Sequence, residues 1–243
     1  MAPAHWFKLV KQTYLVCSVK IAIIEKYKNK IGLYFNSPLR QGPRGSFVFI
    51  HINKTGGTSI IEITGKPFRK HMTAKEVIAT LGQSKWDAAY KFAVVRNPWD
   101  KMVSHYKHNI KTKPSTMRIG GATSREMISF NEWLQCTLGP VKNKKYYNRP
   151  QHFLPQVEWL KDYNGKIAMD AIIRFESLAV DYVKVAEQLG LDTNLPHLNS
   201  TERSAYRKFY NADSKKLVED WFKEDIDLFG YQFDKDSLDL TPT

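Results

Sequence analysis

Cysteine is almost absent from this chain of 243 residues, in which Cys17 and Cys136 are the only two. A pair so far apart supplies neither a disulfide framework nor metal-ligand spacing, which excludes a cystine-stapled scaffold and an organising zinc site. Both thiols are expected to be reduced and buried. Long apolar runs are lacking too. The most apolar segments, Trp6 to Val10 and Tyr14 to Ile24, are interrupted by Lys8, Lys11 and Lys20, well short of the ~20 residues that cross a bilayer. No small-residue cleavage site follows them, as it would in a signal peptide. The expectation is a cytoplasmic, soluble protein with an amphipathic helix over roughly residues 4–29 packed on the domain. An interfacial membrane helix or a dimer contact is the alternative reading of that helix. Acidic residues are also in deficit, 24 against 37 Lys and Arg, giving a net charge of +13. Such a surface attracts polyanions, but charge does not choose among nucleotides, sulfated glycans, nucleic acid and lipid headgroups. Internal repeats and low-complexity tracts are missing as well.

What is present has the rhythm of an α/β domain. Residues 36–45 hold two prolines and two glycines, which punctuate the chain and mark the entrance to the domain. Ser46 to Ile52 is a short apolar, aromatic and β-branched run, the pattern of a buried strand, and a glycine-containing loop leads from it into the apolar stretch at Ser59 to Glu62. Lys91 to Arg96 repeats the strand pattern, and Pro98 stands at the first turn of a helix. Ala171 to Glu176 is a third strand candidate, followed by a helix that Gly190 stops. Helices near 204–210 and 213–228 close the chain, while 111–150 reads as insertion loops around one helix near 128–137. Strands alternating with helices predict a mostly parallel central sheet flanked by helices.

The loop His51-Ile52-Asn53-Lys54-Thr55-Gly56-Gly57-Thr58-Ser59 carries the chemistry. A loop between a buried strand and a helix gathers backbone N–H groups and the positive end of the helix dipole, which makes an anion cradle. Lys54 adds a full charge, Thr55, Thr58 and Ser59 add hydroxyls, and Gly56-Gly57 admits a phosphate close to the backbone. A nucleoside-triphosphate P-loop places its lysine after the glycines, whereas Lys54 precedes both.

These residues resemble the donor loop of the sulfotransferases, most closely the group containing many carbohydrate sulfotransferases. A second stretch is similar to the family's element for the donor's 3′-phosphate: Arg96 ends a strand and Ser104 follows eight residues later, just over two helical turns. Arg174 to Leu178, Leu195 to Ser200 and Asp225 to Phe233 also look like the family, so the resemblance spans roughly 46–233. It implies a P-loop-kinase-like sulfotransferase fold over 46–235; residues 1–45, a helical extension by their own pattern, and 111–150 match nothing in the family, and 236–243 forms a tail.

The activity implied is in-line transfer of a sulfuryl group from 3′-phosphoadenosine 5′-phosphosulfate (PAPS) to an acceptor hydroxyl on a glycan or small metabolite. The product 3′,5′-diphosphoadenosine (PAP) is released, and no metal is required. By the resemblance, Lys54 faces the departing phosphate and Thr55, Gly56, Gly57, Thr58 and Ser59 bind the 5′-phosphosulfate. Arg96 and Ser104 hold the 3′-phosphate, and Ser200 and Arg203 are weaker phosphate contacts by position. A histidine is the natural base near neutral pH. His71 stands where related sulfotransferases carry the histidine thought to be the base, with His51 its competitor and Glu62 a remoter one. His51, Gln151 and His152 are candidates for the acceptor pocket, and the basic run 142–145 for acidic glycan binding. His105 and His108 lie about a turn apart with no third ligand and read as a packed or solvated helix face. The rivals are a kinase-like nucleotide enzyme using the same cradle and a non-catalytic polyanion binder; a nucleic-acid partner is not expected.

Overall fold

The computed structural model describes residues 37–67, 69–120, 124–196 and 203–234. The helix expected over 4–29, Cys17 and the tail at 236–243 lie outside the described residues. One compact unit consists of Leu39–Gly65 with the chain from His71 onward. The other is described only at Ser37, Pro38, Lys66, Pro67, Arg69 and Lys70, where it has no helix or strand.

The first unit is built on four strands, β1 (Leu39–Gly42), β2 (Gly45–Ile50), β3 (Tyr90–Val95) and β4 (Ala171–Arg174), in the order β1-β2-β3-β4. The pairs β2–β3 and β3–β4 are parallel, and β1 runs antiparallel to β2. The punctuated stretch before Ser46 is therefore a hairpin turning at Pro43-Arg44. Strand β1 has no apolar alternation to announce it; it is an edge strand made by its pairing.

Side chains alternate across β2 and β3, and each parity feeds a separate core. Val48, Ile50, Ala93 and Val95 join one cluster, whereas Phe47, Phe92, Val94 and Ile173 join the other. The second face is covered by α1 (Gly57–Thr64) through Ile60 and by α8 (Leu178–Leu189) through Tyr182, Val185, Ala186 and Leu189. The larger first cluster draws on α2 (Ala74–Leu81), α3 (Gln83–Ala88), α4 (Pro98–Thr112), α5 (Pro114–Met117), α6 (Phe130–Leu138) and α7 (Gln156–Leu160). It also takes in α9 (Ala212–Trp221) and α10 (Lys223–Phe229). Each large side chain sealed there, such as Trp133 or Trp159, contributes about 1.5–3 kcal/mol of burial.

Caps explain several boundaries. Thr73 with Glu76 starts α2, and Ser129 with Glu132 starts α6, both as reciprocal capping boxes. Gly190, at φ 69°, ends α8 in the left-handed conformation. The helix expected over 213–228 is in fact two. Phe222, sealed in the core, takes φ −107° and ψ 25° and breaks it between α9 and α10.

Parallel strands bring their C-terminal ends to one edge of the sheet, where ligand-binding crevices form in open α/β sheets. The His51 loop leaves β2 there, Arg96 follows β3, and Phe175 follows β4.

Candidate active site

The loop after β2 is held in a conformation that most residues avoid. Lys54 is the one described non-glycine residue at positive φ (67°), in the left-handed region. Its carbonyl accepts a hydrogen bond of 2.9 Å from Nη1 of Arg96, which ties the loop to the end of β3. Thr55 turns its hydroxyl inward onto the Ile52 carbonyl at 2.9 Å. Gly56, at φ 80°, caps α1, and a Cβ there would meet the Phe175 ring at 2.7 Å. Gly57 opens α1 directly over the His51 ring, where a Cβ would come within 2.3 Å of Cδ2. The two glycines are thus required on both sides of the loop; the Ser59 N–H donates to the Gly56 carbonyl at 3.2 Å, and the N–H groups of Gly57 and Thr58 remain for an anion.

Cation and hydroxyl groups collect around this turn without protein partners. The Lys54 ammonium forms no hydrogen bond or ion pair among the described residues, and neither do the hydroxyls of Thr58, Ser59 and Ser104. Burial, reinforced by the Arg96 charge, lowers the Lys54 pKa to about 8. Arg96 is buried and fixed on several sides. Its Nε and Nη2 reach Oδ2 of Asp100, each at 2.8 Å, and its guanidinium lies 4.0 Å from the centre of the Phe175 ring. Ser104 is half-buried on α4, two turns beyond Arg96. Ser200 and the Arg203 side chain lie outside the described residues.

The main chain at Arg96 and Asn97 is anchored from far along the sequence. Oε1 of Gln156 accepts the Arg96 N–H and Nε2 donates to the Arg96 carbonyl, both at 2.8 Å. Asp225 accepts the N–H groups of Gln156 and Val157 at 2.7 and 2.9 Å, capping α7 and steadying Gln156. Glu176 accepts the Asn97 N–H at 2.7 Å and the Tyr231 hydroxyl at 3.3 Å. Burial raises the pKa of both carboxyls, Asp225 and Glu176. Beneath α4 the fully buried Lys101 has no hydrogen-bond partner for Nζ, which stands 5.2 Å from the Phe222 ring centre. Desolvation lowers its pKa to about 8, against the opposing pull of Asp225.

Four histidines run in a line from the loop. The rings of His51 and His71 are 4.6 Å apart, those of His71 and His152 5.8 Å, and those of His152 and His105 5.7 Å. Nδ1 of His71 lies 2.9 Å from the His51 carbonyl oxygen. A carbonyl only accepts, so Nδ1 carries the proton and Nε2 is the basic atom of the neutral ring. His51 itself is buried, stacked on Phe49 at 5.4 Å and roofed by Gly57, a structural floor to the loop. Asn53 donates to the His152 carbonyl at 3.3 Å. Burial, then the charges of His71, Arg149, Lys113 and Lys101, lowers the His152 pKa to about 4. His105 is driven well below the usual histidine range by the same desolvation and by His152 and Lys101, so both rings are neutral at neutral pH. Gln151 points elsewhere, donating to Glu76 of α2 at 2.9 Å. Glu62 is exposed on α1. Among the described residues no His, Cys, Asp and Glu cluster is placed to hold a metal, and no helix is long and apolar enough to cross a membrane.

The structure thus brings together Lys54, the 55–59 loop, Arg96, His51, His71 and His152. Sequence reasoning missed Phe175, Asp100, Gln156, Asp225 and Lys101, and it left His105 as a mere helix face. Asp100 alone carried a local signal, four residues after Arg96 in a helix.

The sequence model of the sulfotransferase family matches residues 38–232. A search of curated proteins finds no match. Among solved structures, the chain is similar to a sulfotransferase from Alicyclobacillus acidocaldarius at 21% identity and a TM-score of 0.32. That match covers 64% of this chain and 66% of the other, so this chain spans just under two thirds of that protein. It is also similar to mouse sulfotransferase SULT7A1, solved in complex with PAP, at 14% identity and a TM-score of 0.45, over 73% of this chain and 83% of that one.

Proposed function

Because the chain belongs to the sulfotransferase family, we propose that its particular reaction is transfer of the sulfuryl group of PAPS to an acceptor hydroxyl, with His71 as base. The observation that carries this reading is Lys54, a desolvated ammonium beside Arg96 with no carboxylate partner among the described residues, at the mouth of a loop built to receive an anion. Lys54 is half-buried, and a partly desolvated cation without a partner costs free energy that a bound anion would offset. Two glycines whose Cβ atoms would strike Phe175 and His51 let the loop and the start of α1 seat directly on those rings, which fixes the shape of the cradle.

The roles follow from charge flow. PAPS supplies the activated sulfuryl group. The chain's own part is to orient it, remove one proton and offset one developing charge. Nε2 of His71 takes the acceptor hydroxyl proton as the oxygen forms its bond to sulfur, while Nδ1–H stays on the His51 carbonyl and keeps the ring in the productive tautomer. Lys54 meets the negative charge left on the phosphate when its bond to sulfur breaks. The loop N–H groups with Thr58 and Ser59 hold the phosphosulfate, and Arg96 with Ser104 holds the 3′-phosphate. Arg96 is not consumed by its protein contacts, because a guanidinium has five donor hydrogens and its partners here leave some over.

Calorimetry tests the reading directly. PAP is expected to bind without magnesium, and Lys54→Ala is expected to abolish that binding. A preference for ATP with magnesium over PAP would assign the cradle to a kinase-like reaction instead.

A further inference from the structure

His152 and His105, the far members of the histidine line, also line a small cleft that opens to the surface. The charged side chains in its lining are Lys113, Lys145 and Arg149, with no aspartate or glutamate. None of the donor-loop residues, nor Arg96, lines it. It nevertheless abuts the donor loop, since Asn53 holds the His152 carbonyl and the His152 ring stands beside that of His71. His71 itself does not line the cleft, which adjoins the candidate base through the His152 ring.

Its charge is uncompensated. Lys145 is fixed, with its ammonium on the Arg118 carbonyl and 5.2 Å from the Tyr146 ring centre. Lys113 and Arg149 form no ion pair among the described residues. Burial lowers the Lys113 pKa, and the neighbouring Arg149 charge lowers it further. Ordinary surface cations spread apart or pair with carboxylates; these two share one concavity and repel. The neutral rings of His105 and His152 add hydrogen-bonding capacity without charge. Such a lining suits a ligand that presents hydroxyls at the histidines and an anion at Lys113 and Arg149.

We propose that this cleft is the acceptor subsite and that the acceptor carries a carboxylate, sulfate or phosphate group bound by Lys113 and Arg149 while its hydroxyl faces His71. This rests on the sulfuryl-transfer reading above. It adds Lys113 and Arg149 as specificity-determining residues and excludes neutral sugars and sterols as preferred acceptors.

Matched probes test it: methyl β-glucoside, methyl β-glucuronide, which differs only in a carboxylate, and the sulfate and phosphate monoesters of the glucoside. Binding to the full chain saturated with PAP is measured by calorimetry, and turnover with radiolabelled PAPS. At least one anionic probe is expected to exceed the glucoside by roughly tenfold or more, the worth of one hydrogen-bonded charge, and which one does so identifies the anion. In the double variant Lys113→Gln, Arg149→Gln the advantage is expected to vanish through KM with kcat retained. The affinity for PAP should not change, and a thermal melt checks the fold. Equal treatment of neutral and anionic probes by the wild type, including binding of neither, overturns the proposal, as does an undiminished preference in the double variant. Failure of the wild type to bind PAP at all would instead strike the donor reading on which the proposal rests.

Discussion

Gln156 grips Arg96 by the main chain rather than by the side chain, its amide pairing with both the N–H and the carbonyl of Arg96 at 2.8 Å. The two residues are sixty positions apart and both buried. The amide continues the hydrogen-bonding of β3 beyond its last residue and so fixes the point from which the guanidinium projects.

Replacing Gln156 with Leu leaves both main-chain groups of Arg96 buried without partners, at about 1–3 kcal/mol each. A fall of several degrees in the melting temperature is expected, at roughly 2–4 °C per kcal/mol for a chain of this size. A purely structural role would end there. If Gln156 positions Arg96, PAP affinity in the still-folded variant falls as well, and more than kcat does. Unchanged PAP affinity would mean that Asp100 and the Lys54 carbonyl alone hold the guanidinium.

His71 should separate chemistry from binding. In His71→Asn the basic Nε2 is lost while the donor loop, Lys54 and Arg96 are untouched. The expected result is a drop in kcat of about 10²–10⁴-fold with PAP affinity unchanged, read by single-turnover transfer from labelled donor beside PAP calorimetry. Full turnover would remove His71 from the mechanism.

The legible part of the molecule was local. Strand patterns at 46–52, 91–96 and 171–176 and the glycines of the loop are properties of neighbouring residues, and the sheet was readable from them. The short edge strand β1 was not, because its four residues are strand only through pairing with β2. The supports of Arg96 were invisible for another reason. Gln156, Glu176, Asp225 and Tyr231 meet around the Arg96–Asn97 turn from three distant segments, and no spacing rule encodes that meeting. The stretches 174–178 and 225–233, which looked family-like without an evident purpose, are where three of those four residues lie. The tautomer of His71 was likewise unreadable, because its partner is a main-chain oxygen.

Two glycines distinguish backbone strain from the crowding of the site. Gly65 has φ 81° and ψ 152°, a backbone region kept almost wholly to glycine, with open space around its missing Cβ, so Gly65→Ala meets only backbone strain, about 1–3 kcal/mol. Gly57→Ala instead drives a methyl to 2.3 Å from the His51 ring, and overpacking of this kind also costs about 1–3 kcal/mol. The two melts should shift by similar amounts. Only Gly57→Ala is expected to impair PAP binding and kcat together, because displacing His51 moves both the loop and the carbonyl that orients His71. Normal PAP binding by Gly57→Ala would show that α1 can shift away without opening the cradle.

Lys54 links the donor site to pH with a definite sign. Its folded pKa is lowered to about 8 from an ordinary 10.5, chiefly by desolvation. Between those two values the unfolded chain still holds a proton that the folded chain has released, so through this group stability rises with pH across that window. Binding behaves oppositely. A phosphate beside Lys54 favours the ammonium, so above about pH 8 PAP must bind with uptake of a proton and its affinity falls by up to about tenfold per pH unit. Calorimetry in buffers of different ionisation enthalpy counts that proton. Lys54→Arg, which keeps its charge throughout the range, is expected to flatten the profile. If wild-type affinity is already flat from about pH 7 to 10, Lys54 does not touch the phosphate, and the anion in the cradle is held by the loop N–H groups and Arg96 alone.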